Sequence, residues 1–510
     1  MTTAPTPVTQ QPKEVATATR LWRTSVGFIL VALLCLLFSD IEIHSADPWL
    51  ELGRIGLGLV TPDVWNIERL AEALLNTLAF ALLGIAIAIP FGAIFALSFR
   101  WRLVRHFCAF IRSIHELFWA LLLMQFLGLS TLTGILAIAI PYSGIFAKVY
   151  AEILEESDQQ PRQLLPPTTD WLSGLLYARL PQAYVHLKSY TQYRLECSIR
   201  SSAVLGFIGL PTLGFHLETA FNQGLYSQAA GLLYMFFGLI FCLRYLFARG
   251  WPLPLYLIAA AIWLPWQQQF DWSLMASFIR EELVPAPFRQ QSWLEPESWI
   301  AFTDWVWRLL SGQAFNGVIN TLLLSLIALV ATGIITLILF PLVSRHFLPR
   351  SGRSIGALLL IVLRSVPELI FAFVALLILG PSMLPALIAL ALHNGAIIAH
   401  LIGRYSDSLL LRDDASRGLN RYLFEILPQV YRQFLVFLFY RWEVILRETA
   451  ILGILGIHTL GFFIDSAFEE LRFDRALVLI LVTAALNIAV DSFARWLRLR
   501  LQLSGMPRQY

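Results

Sequence analysis

Four pairs of oppositely charged side chains stand four residues apart within segments that are otherwise apolar. The pairs are Glu196 and Arg200, Glu443 and Arg447, Arg112 and Glu116, and Arg364 and Glu368. Residues at this spacing lie on one face of an α-helix, so each pair is expected to form a helical ion pair. A charge in the interior of a bilayer costs at least about 2.5–3.5 kcal/mol, so each of these groups needs a partner, water or a function.

Two interpretations of the glutamate–arginine pairs stay open. In the first, each pair neutralises itself near a helix end and lets its segment lie at a membrane interface. In the second, Arg200 and Arg447 face a central path, where each is held by its glutamate until an anion passes. A guanidinium offers planar paired donors, which suit the oxygens of an oxyanion. For Arg112, snorkelling of the side chain to the inner membrane surface is a further alternative.

Two more polar residues, His393 and Asn394, stand inside another apolar run. They either line a cavity or form interhelical hydrogen bonds. Pro367, directly before Glu368, is expected to kink its helix locally, because proline removes a helical hydrogen bond.

The composition of the chain indicates what kind of helices carry these charges. Of the 510 residues, 57% are hydrophobic and 14% are charged, whereas a soluble globular chain is about 45–50% apolar and about 25% charged. This excludes a soluble enzyme, a disulfide-rich secreted scaffold and a disordered protein. Twelve apolar segments lie near 22–39, 70–98, 104–128, 131–153, 191–210, 227–247, 252–267, 315–343, 354–379, 382–403, 434–456 and 475–494. All but the short seventh segment can supply the about 20 residues that are needed to cross a bilayer. We therefore predict an all-α polytopic membrane protein with about twelve transmembrane helices.

The placement of arginines predicts the orientation. Arginines cluster in alternate loops, and positively charged loops stay on the cytoplasmic side of a membrane. Both termini are therefore expected in the cytoplasm, as tails over 1–21 and 501–510. Between the tails we predict two repeats. The first repeat covers 22–250 and has a cytoplasmic loop near 155–190. The second repeat covers 251–500 and has a long external loop near 268–314 and a cytoplasmic loop near 404–433.

The two repeats follow from motifs that recur in the same order along the chain. The offsets between the copies are 244, 252, 247 and 247 residues. An even number of spans in each repeat predicts two parallel six-helix repeats related by a pseudo-two-fold axis along the membrane normal, with a path between them. The recurring motifs are Asn76-Thr77-Leu78 with Asn320-Thr321-Leu322, Arg112-Ser113-Ile114-His115-Glu116-Leu117 with Arg364-Ser365-Val366-Pro367-Glu368-Leu369, Leu180-Pro181-Gln182 with Leu427-Pro428-Gln429, and 193–209 with 440–456.

Motifs for chemistry on ATP or on a metal are missing from the sequence. A phosphate-binding loop ends in Gly-Lys-Ser/Thr, but only three lysines occur and none follows a glycine. No HExxH segment, nucleophile elbow or metal-ligand spacing occurs either. We therefore predict no catalytic residue, no metal site and no cofactor in this chain, and its net charge of +3 does not argue for nucleic acid.

These motifs resemble the integral-membrane permeases of binding-protein-dependent ABC importers, and within them the phosphonate-type permeases. The resemblance lies in the Arg-Ser-x-x-Glu-Leu segments, the Leu-Pro-Gln triplets and the Tyr-Arg-x-Glu-x-x-x-Arg-x-x-Ala-x-Leu-Gly-x-x-Gly segments that begin at Tyr193 and Tyr440. The matching regions cover 70–247 and 315–500. Family members are usually single six-span units that act as homodimers, so this chain looks like two such units fused, with a type I importer architecture.

The resemblance also implies a cytoplasmic loop in each half that docks on an ATPase through a short coupling helix. Neither loop keeps the Glu-Ala-Ala core of the family pattern. The residues expected to couple are Thr169, Asp170, Trp171 and Gly174 in the first half, and Ser416, Arg417, Gly418 and Leu419 in the second.

By the same resemblance, two ATP-binding cassette subunits would hydrolyse ATP with Mg²⁺, and a periplasmic or lipid-anchored binding protein would deliver the cargo. The cargo would be phosphonate, phosphite or hypophosphite, carried across a bacterial inner membrane as the halves rock around a central path. Two other classes stay open. A twelve-span secondary transporter of an anionic solute would run on an ion gradient, and a polytopic enzyme would need clustered catalytic groups, whereas the nine histidines are dispersed.

Overall fold

A computed structural model describes residues 11–44, 47–157, 164–166, 168–248, 253–266, 272–290, 293–411 and 416–503. Within these ranges every regular element is a helix, and no strand occurs. The predicted all-α polytopic class is confirmed.

The helices of ten or more residues are numbered here in chain order. They are α1 (Gln11–Leu36), α2 (Pro48–Val60), α3 (Leu70–Leu97), α4 (Arg102–Ser113), α5 (Glu116–Leu127), α6 (Thr131–Glu156), α7 (Leu180–Val204), α8 (Leu213–Asn222), α9 (Tyr226–Ala248), α10 (Leu253–Trp263), α11 (Pro296–Leu309), α12 (Phe315–Leu339), α13 (Arg350–Ser365), α14 (Glu368–Leu379), α15 (Met383–Asp407), α16 (Leu427–Ile451), α17 (Leu460–Glu469) and α18 (Phe473–Arg500).

The number of membrane spans depends on how bent helices are counted. Six helices in the described part of the chain are long and apolar enough to cross a membrane, and the number rises to ten if each of four bent pairs is one span. Helices occur at all twelve predicted segments, but Tyr226–Cys242 and Leu253–Trp263 are shorter apolar helices. The total of twelve, the repeat boundaries and the orientation therefore stay predictions.

Four of the predicted spans are broken rather than continuous. The expected helix over 104–128 bends by 89° between α4 and α5, and the one over 354–379 bends by 91° between α13 and α14. The expected helices over 191–210 and 434–456 end in short 3-10 turns, Leu205–Ile208 and Leu452–Leu455, before α8 and α17 turn away by 52° and 44°. Apolar composition does not report these breaks, because both sides of each break are hydrophobic.

The duplicated Asn-Thr pair stabilises the breaks at the two 3-10 turns, before α8 in the first half and before α17 in the second. Thr77 Oγ1 on α3 accepts a hydrogen bond from the backbone N–H of Leu213, the first residue of α8, at 2.9 Å. Thr321 on α12 does the same for Leu460, the first residue of α17, at 3.0 Å. A side chain from a neighbouring helix thus satisfies a donor that has no partner within its own helix. The adjacent asparagines donate to carbonyls of the preceding turns, Asn76 to Pro211 (2.9 Å) and Asn320 to His458 (2.8 Å).

The four glycines of these turns serve two purposes. A Cβ on Gly206 or Gly453 would lie 2.1 Å from a backbone nitrogen of the following helix, so the absence of a side chain lets the two helices approach this closely. A Cβ on Gly456 would meet nothing within 4 Å, and one on Gly209 would make only ordinary contacts. Gly209 and Gly456 adopt φ of +94° and +84° in the left-handed region, which glycine reaches without steric cost.

One helix of each half packs against long helices of the other half. The α1 helix, at the start of the chain, lies against α12 and α16 of the second half, where Phe28 packs against the ring of Phe439 at 5.3 Å. The α10 helix lies against α3 of the first half, where Trp263 donates a hydrogen bond to Asn76 at 2.9 Å.

The helices that follow the sharp breaks also cross between the halves. Leu117 and Phe118 of α5 are buried in the apolar core formed mainly by the second half. Ile370 and Phe373 of α14 are buried in the core formed mainly by the first half. The two breaks therefore lie at the interface between the halves, which is where a path was predicted.

Candidate functional site

The Arg-Ser-x-x-Glu-Leu motif brackets each sharp break. Arg112 lies in the last turn of α4 and Glu116 begins α5, while residues 114–115 between them are extended. Arg364 and Glu368 hold the same places at the ends of α13 and α14. The spacing of four was expected to place each pair on one helix face, and that expectation is wrong because the helix does not continue. A cation at a helix C-terminus and an anion at an N-terminus each complement the helix dipole.

Arg447, from the second half, caps the first break. Its Nη1 donates to the carbonyl of Arg112 at 3.2 Å. Asn487, also from the second half, donates to the carbonyl of Ser113 at 2.7 Å. These carbonyls lie at the end of α4, where no further helical N–H can reach them. The first break is thus completed by side chains of the other half.

Arg200, from the first half, caps the second break in the same way. Its Nη1 donates to the carbonyl of Arg364 at 3.3 Å. His393 of α15 completes this break, because its Nδ1 lies 3.0 Å from the carbonyl of Val366. Non-helical backbone at membrane depth is tolerated where protein buries it and satisfies its polar groups. The two halves therefore exchange arginine–carbonyl hydrogen bonds reciprocally across their interface.

Arg112 forms its ion pairs with the second half rather than with Glu116. Its guanidinium contacts Glu443 closely and lies 2.9 Å from Asp491. Lys148 of α6 lies 3.9 Å from Glu443 and 4.0 Å from Asp491. The predicted helical pair of Glu443 with Arg447 is replaced by this network between the halves.

Glu368, the first residue of α14, is paired with two side chains at the second break. His393 Nε2 lies 2.6 Å and Arg200 Nη1 lies 3.7 Å from its Oε1. Arg200 also lies 2.9 Å from His393 Nε2. The arginine thus joins a carbonyl, a carboxylate and an imidazole of the second half. Glu196 is half-buried on α7, one turn before Arg200.

The remaining carboxylates of the interface are buried and hydrogen-bonded. Ser201 donates to Glu116 at 2.6 Å. Asn394, fully buried, donates to Glu448 at 3.0 Å and accepts from Arg441 at 2.5 Å. His393 and Asn394 thus form hydrogen bonds between helices, and whether either also lines a path stays a prediction.

Several charged or polar residues of this interface were not predicted from the sequence. They are Lys148, Arg441, Glu448, Asn487 and Asp491. Arg441 had a usable signal, since it matches Arg194 in the repeat alignment. Glu448 and Asp491 had none, because no acidic residue stands at the matching positions of the first half, which are Ser201 and Arg244.

The predicted coupling residues lie in short segments that precede α7 and α16. The carboxylate of Asp170 accepts from the N–H of Ser173 at 2.9 Å and caps a short helix, Trp171–Ser173, and this bond holds the pKa of Asp170 below its usual value. Thr169, Asp170, Trp171 and Gly174 line one cavity of about 220 Å³.

The second coupling segment is held by Glu425. Both the N–H and the hydroxyl of Ser416 lie within 3.0 Å of its Oε1. Gly418 follows at φ +64°, and Arg417 and Leu419 flank it. Asp414 and Ala415 of the same motif lie outside the described residues. Among the residues that are described, no group of three or more His, Cys, Asp or Glu could hold a metal ion.

Comparison with known proteins connects this architecture with phosphorus transport. A phosphate-import permease protein of Mycolicibacterium smegmatis is 26% identical over 470 residues, 85% of this chain and 85% of that relative. A phosphite transport system permease protein of Stutzerimonas stutzeri is 28% identical over 189 residues, 35% of this chain and 69% of the relative. A putative cryptic phosphonate transport system permease protein of Escherichia coli is 30% identical over 115 residues, 22% of this chain and 94% of the relative.

No family model and no solved structure matches the chain. The first relative aligns over both halves, whereas the other two match much smaller shares of this chain than of their own length. This difference in coverage agrees with the internal duplication. The chain belongs to the phosphonate-type permease family of ABC importers and joins two permease units in a single polypeptide.

Proposed function

We propose that this chain forms the translocation path for phosphonate or a related phosphorus oxyanion, such as phosphite, hypophosphite or phosphate. The named relatives carry phosphate, phosphite and phosphonate, all of which present oxygens around one phosphorus atom. Planar guanidinium groups bind such oxygens through paired hydrogen bonds. Arg200 and Arg447 are the groups best placed for this task.

The observation that carries the proposal is the reciprocal capping across the interface. Arg200 and Arg447 each bind a helix-end carbonyl of the other half. When the halves rock apart in alternating access, both bonds must break, and the two guanidinium groups become free for an oxyanion. When the halves close again, the carbonyls compete with the cargo and release it.

Energy would come from separate subunits. Two ATP-binding cassette subunits would bind ATP and Mg²⁺ and dock on the segments around Asp170 and Gly418. A periplasmic or lipid-anchored binding protein would deliver the oxyanion from outside. The chain would lie in a bacterial inner membrane with both termini in the cytoplasm, as the arginine distribution favours.

Proteoliposomes test this function. The tagged chain is purified from its native membrane with the subunits that co-purify, and is reconstituted with ATP and Mg²⁺ inside and with binding protein and labelled oxyanion outside. We expect uptake that needs internal ATP, resists ionophores and is inhibited by excess phosphonate, phosphite or phosphate more than by sulfate. Uptake without ATP that ionophores abolish would instead support the secondary transporter.

A further inference from the structure

A second charged cavity lies between the halves and includes Arg112, from the end of α4 at the first break. It has a volume of about 630 Å³ and is lined by residues of α4 and α6 of the first half and of α16 and α18 of the second. Its ionisable lining residues are Arg102, Arg105, His106, Arg112, Lys148, Glu152, Asp491, Arg495 and Arg498, together with Tyr440.

The cavity has a large excess of positive charge. Six arginine or lysine side chains line it, against two carboxylates. At its inner end Asp491 is already paired with Arg112, Lys148 and Arg495, at 2.9, 4.0 and 2.7 Å. Glu443 also pairs with Arg112 and Lys148. The positive charge that has no acidic partner in the described part of the chain is therefore that of the remaining three arginines.

Three arginines of the lining have no acidic partner among the described residues. Arg102 and Arg105 are exposed on the first two turns of α4, and Arg498 lies near the end of α18 over the ring of Tyr440 at 5.5 Å. The Nε of Arg498 is buried without a hydrogen-bond acceptor. A buried donor left unsatisfied costs about 1–3 kcal/mol, which an acceptor in the cavity would recover.

We infer that this cavity binds a phosphate group between the halves, either as inorganic phosphate or as the phosphodiester of an anionic lipid. Arg102 and Arg105 from the first half and Arg498 from the second can donate to its oxygens together. Basic pockets between transmembrane helices on the cytoplasmic side are suited to such groups. A bound phosphate would join α4 to α18 and stabilise the present arrangement of the halves.

This inference goes beyond the proposed function and does not rest on it. Binding can be measured on the full chain without ATP, ATPase or binding protein. Failure to bind phosphate here would leave the transport proposal intact, and failure of transport would leave this site intact.

The test variant is the triple substitution R102Q/R105Q/R498Q in the full chain. The matched control is R345Q/R350Q/R404Q, which removes the same charge from exposed arginines outside the cavity. Each protein is purified in uncharged detergent, and thermal stabilisation is titrated with inorganic phosphate against chloride of equal ionic strength. In a parallel sample, native mass spectrometry counts the phosphatidylglycerol molecules that each protein retains after transfer into the uncharged detergent.

We expect wild type and control to bind one of the two probes at least about tenfold more tightly than the triple variant, since three charge-assisted contacts are lost. Stabilisation by phosphate alone identifies the free ion, and retention of phosphatidylglycerol identifies the lipid. Equal behaviour of wild type and triple variant with both probes, or an equal loss in the control, would overturn the inference. If the triple variant elutes as an aggregate, the exposed single variant Arg105→Gln is compared instead.

Discussion

At the scale of single residues, the buried arginines Arg200 and Arg447 each bind a backbone carbonyl of the other half. An ionised group in an apolar interior must be paired or hydrogen-bonded, and helix-end carbonyls, at the negative end of the helix dipole, can accept hydrogen bonds from a guanidinium. Because Arg200 and Arg447 occupy matching positions, the two halves complete each other through one reciprocal contact. The repeat thus preserves a contact between the halves.

Arg447→Ala should reduce uptake by about 10- to 100-fold while assembly with the ATP-binding subunits persists. Hydrogen bonds of charged groups contribute about 1.5–3 kcal/mol, and about 1.4 kcal/mol corresponds to a factor of ten. Initial uptake rates in proteoliposomes measure the effect. Arg447→Lys should retain part of the rate, and Arg432→Ala, exposed on the same helix, should leave it unchanged. Normal uptake by Arg447→Ala would rule out the proposed role of Arg447 in binding the oxyanion.

Thr77→Val and Thr321→Val should each lower the free energy of unfolding by about 1–3 kcal/mol. Each change leaves the first backbone N–H of α8 or α17 buried without its acceptor. Thermal unfolding of the purified chain is the measurement, with Thr77→Ser as the control that keeps the hydroxyl. If Thr77→Val and Thr77→Ser unfold alike, the threonine does not hold the turn.

At the scale of elements, proline does not explain the sharp breaks. Pro367 stands at the second break, but His115 stands at the first, with φ of −69° against −56° and nearly the same bend. His115 Nδ1 accepts from the N–H of Leu117 at 3.2 Å, which supplies a cap that proline lacks. The common feature is the set of side chains from elsewhere that satisfy the free carbonyls.

His115→Pro should therefore be tolerated, at a cost below about 1.5 kcal/mol for the lost cap. Its φ already fits proline, and Ile114 before it is extended, as a residue preceding proline prefers to be. Leu121→Pro, inside α5, is the matched comparison and should cost at least about 3 kcal/mol. Thermal unfolding midpoints compare the two variants, and equal destabilisation would show that the break needs the histidine itself.

At the scale of the whole molecule, the two halves are interleaved rather than simply adjacent. The α1 helix covers α12 of the second half, α10 covers α3 of the first, and α5 and α14 insert into each other's cores. Each half alone would expose apolar surface that its partner normally covers, beyond what its lipid-facing sides expose.

A chain split between Gly250 and Trp251 should still assemble. When the two fragments are co-expressed with a tag on the first, the second should co-purify in about equal amount, because covalent linkage adds only effective concentration to these contacts. Either fragment expressed alone should accumulate less than the pair. Stable separate fragments that do not co-purify would contradict the interleaved arrangement. A first fragment that lacks residues 1–38 should recover less of the second, since α1 then no longer covers α12.

The sequence by itself determined the membrane class, the duplication and which charged residues recur. Composition and hydropathy act over whole segments, and a motif such as Arg-Ser-x-x-Glu-Leu is recognisable wherever it folds. The resemblance to phosphonate-type permeases rested on the same residues, and the relatives confirm it.

Only the tertiary structure decided which charges meet. A spacing of four predicts an ion pair only while the helix continues, and the breaks of 89° and 91° end that condition. Arg112 then pairs with Glu443, 331 residues away in sequence, and Arg447 binds the carbonyl of Arg112 itself. A local pattern cannot specify such partners, because they depend on how two buried helix ends are packed against the other half.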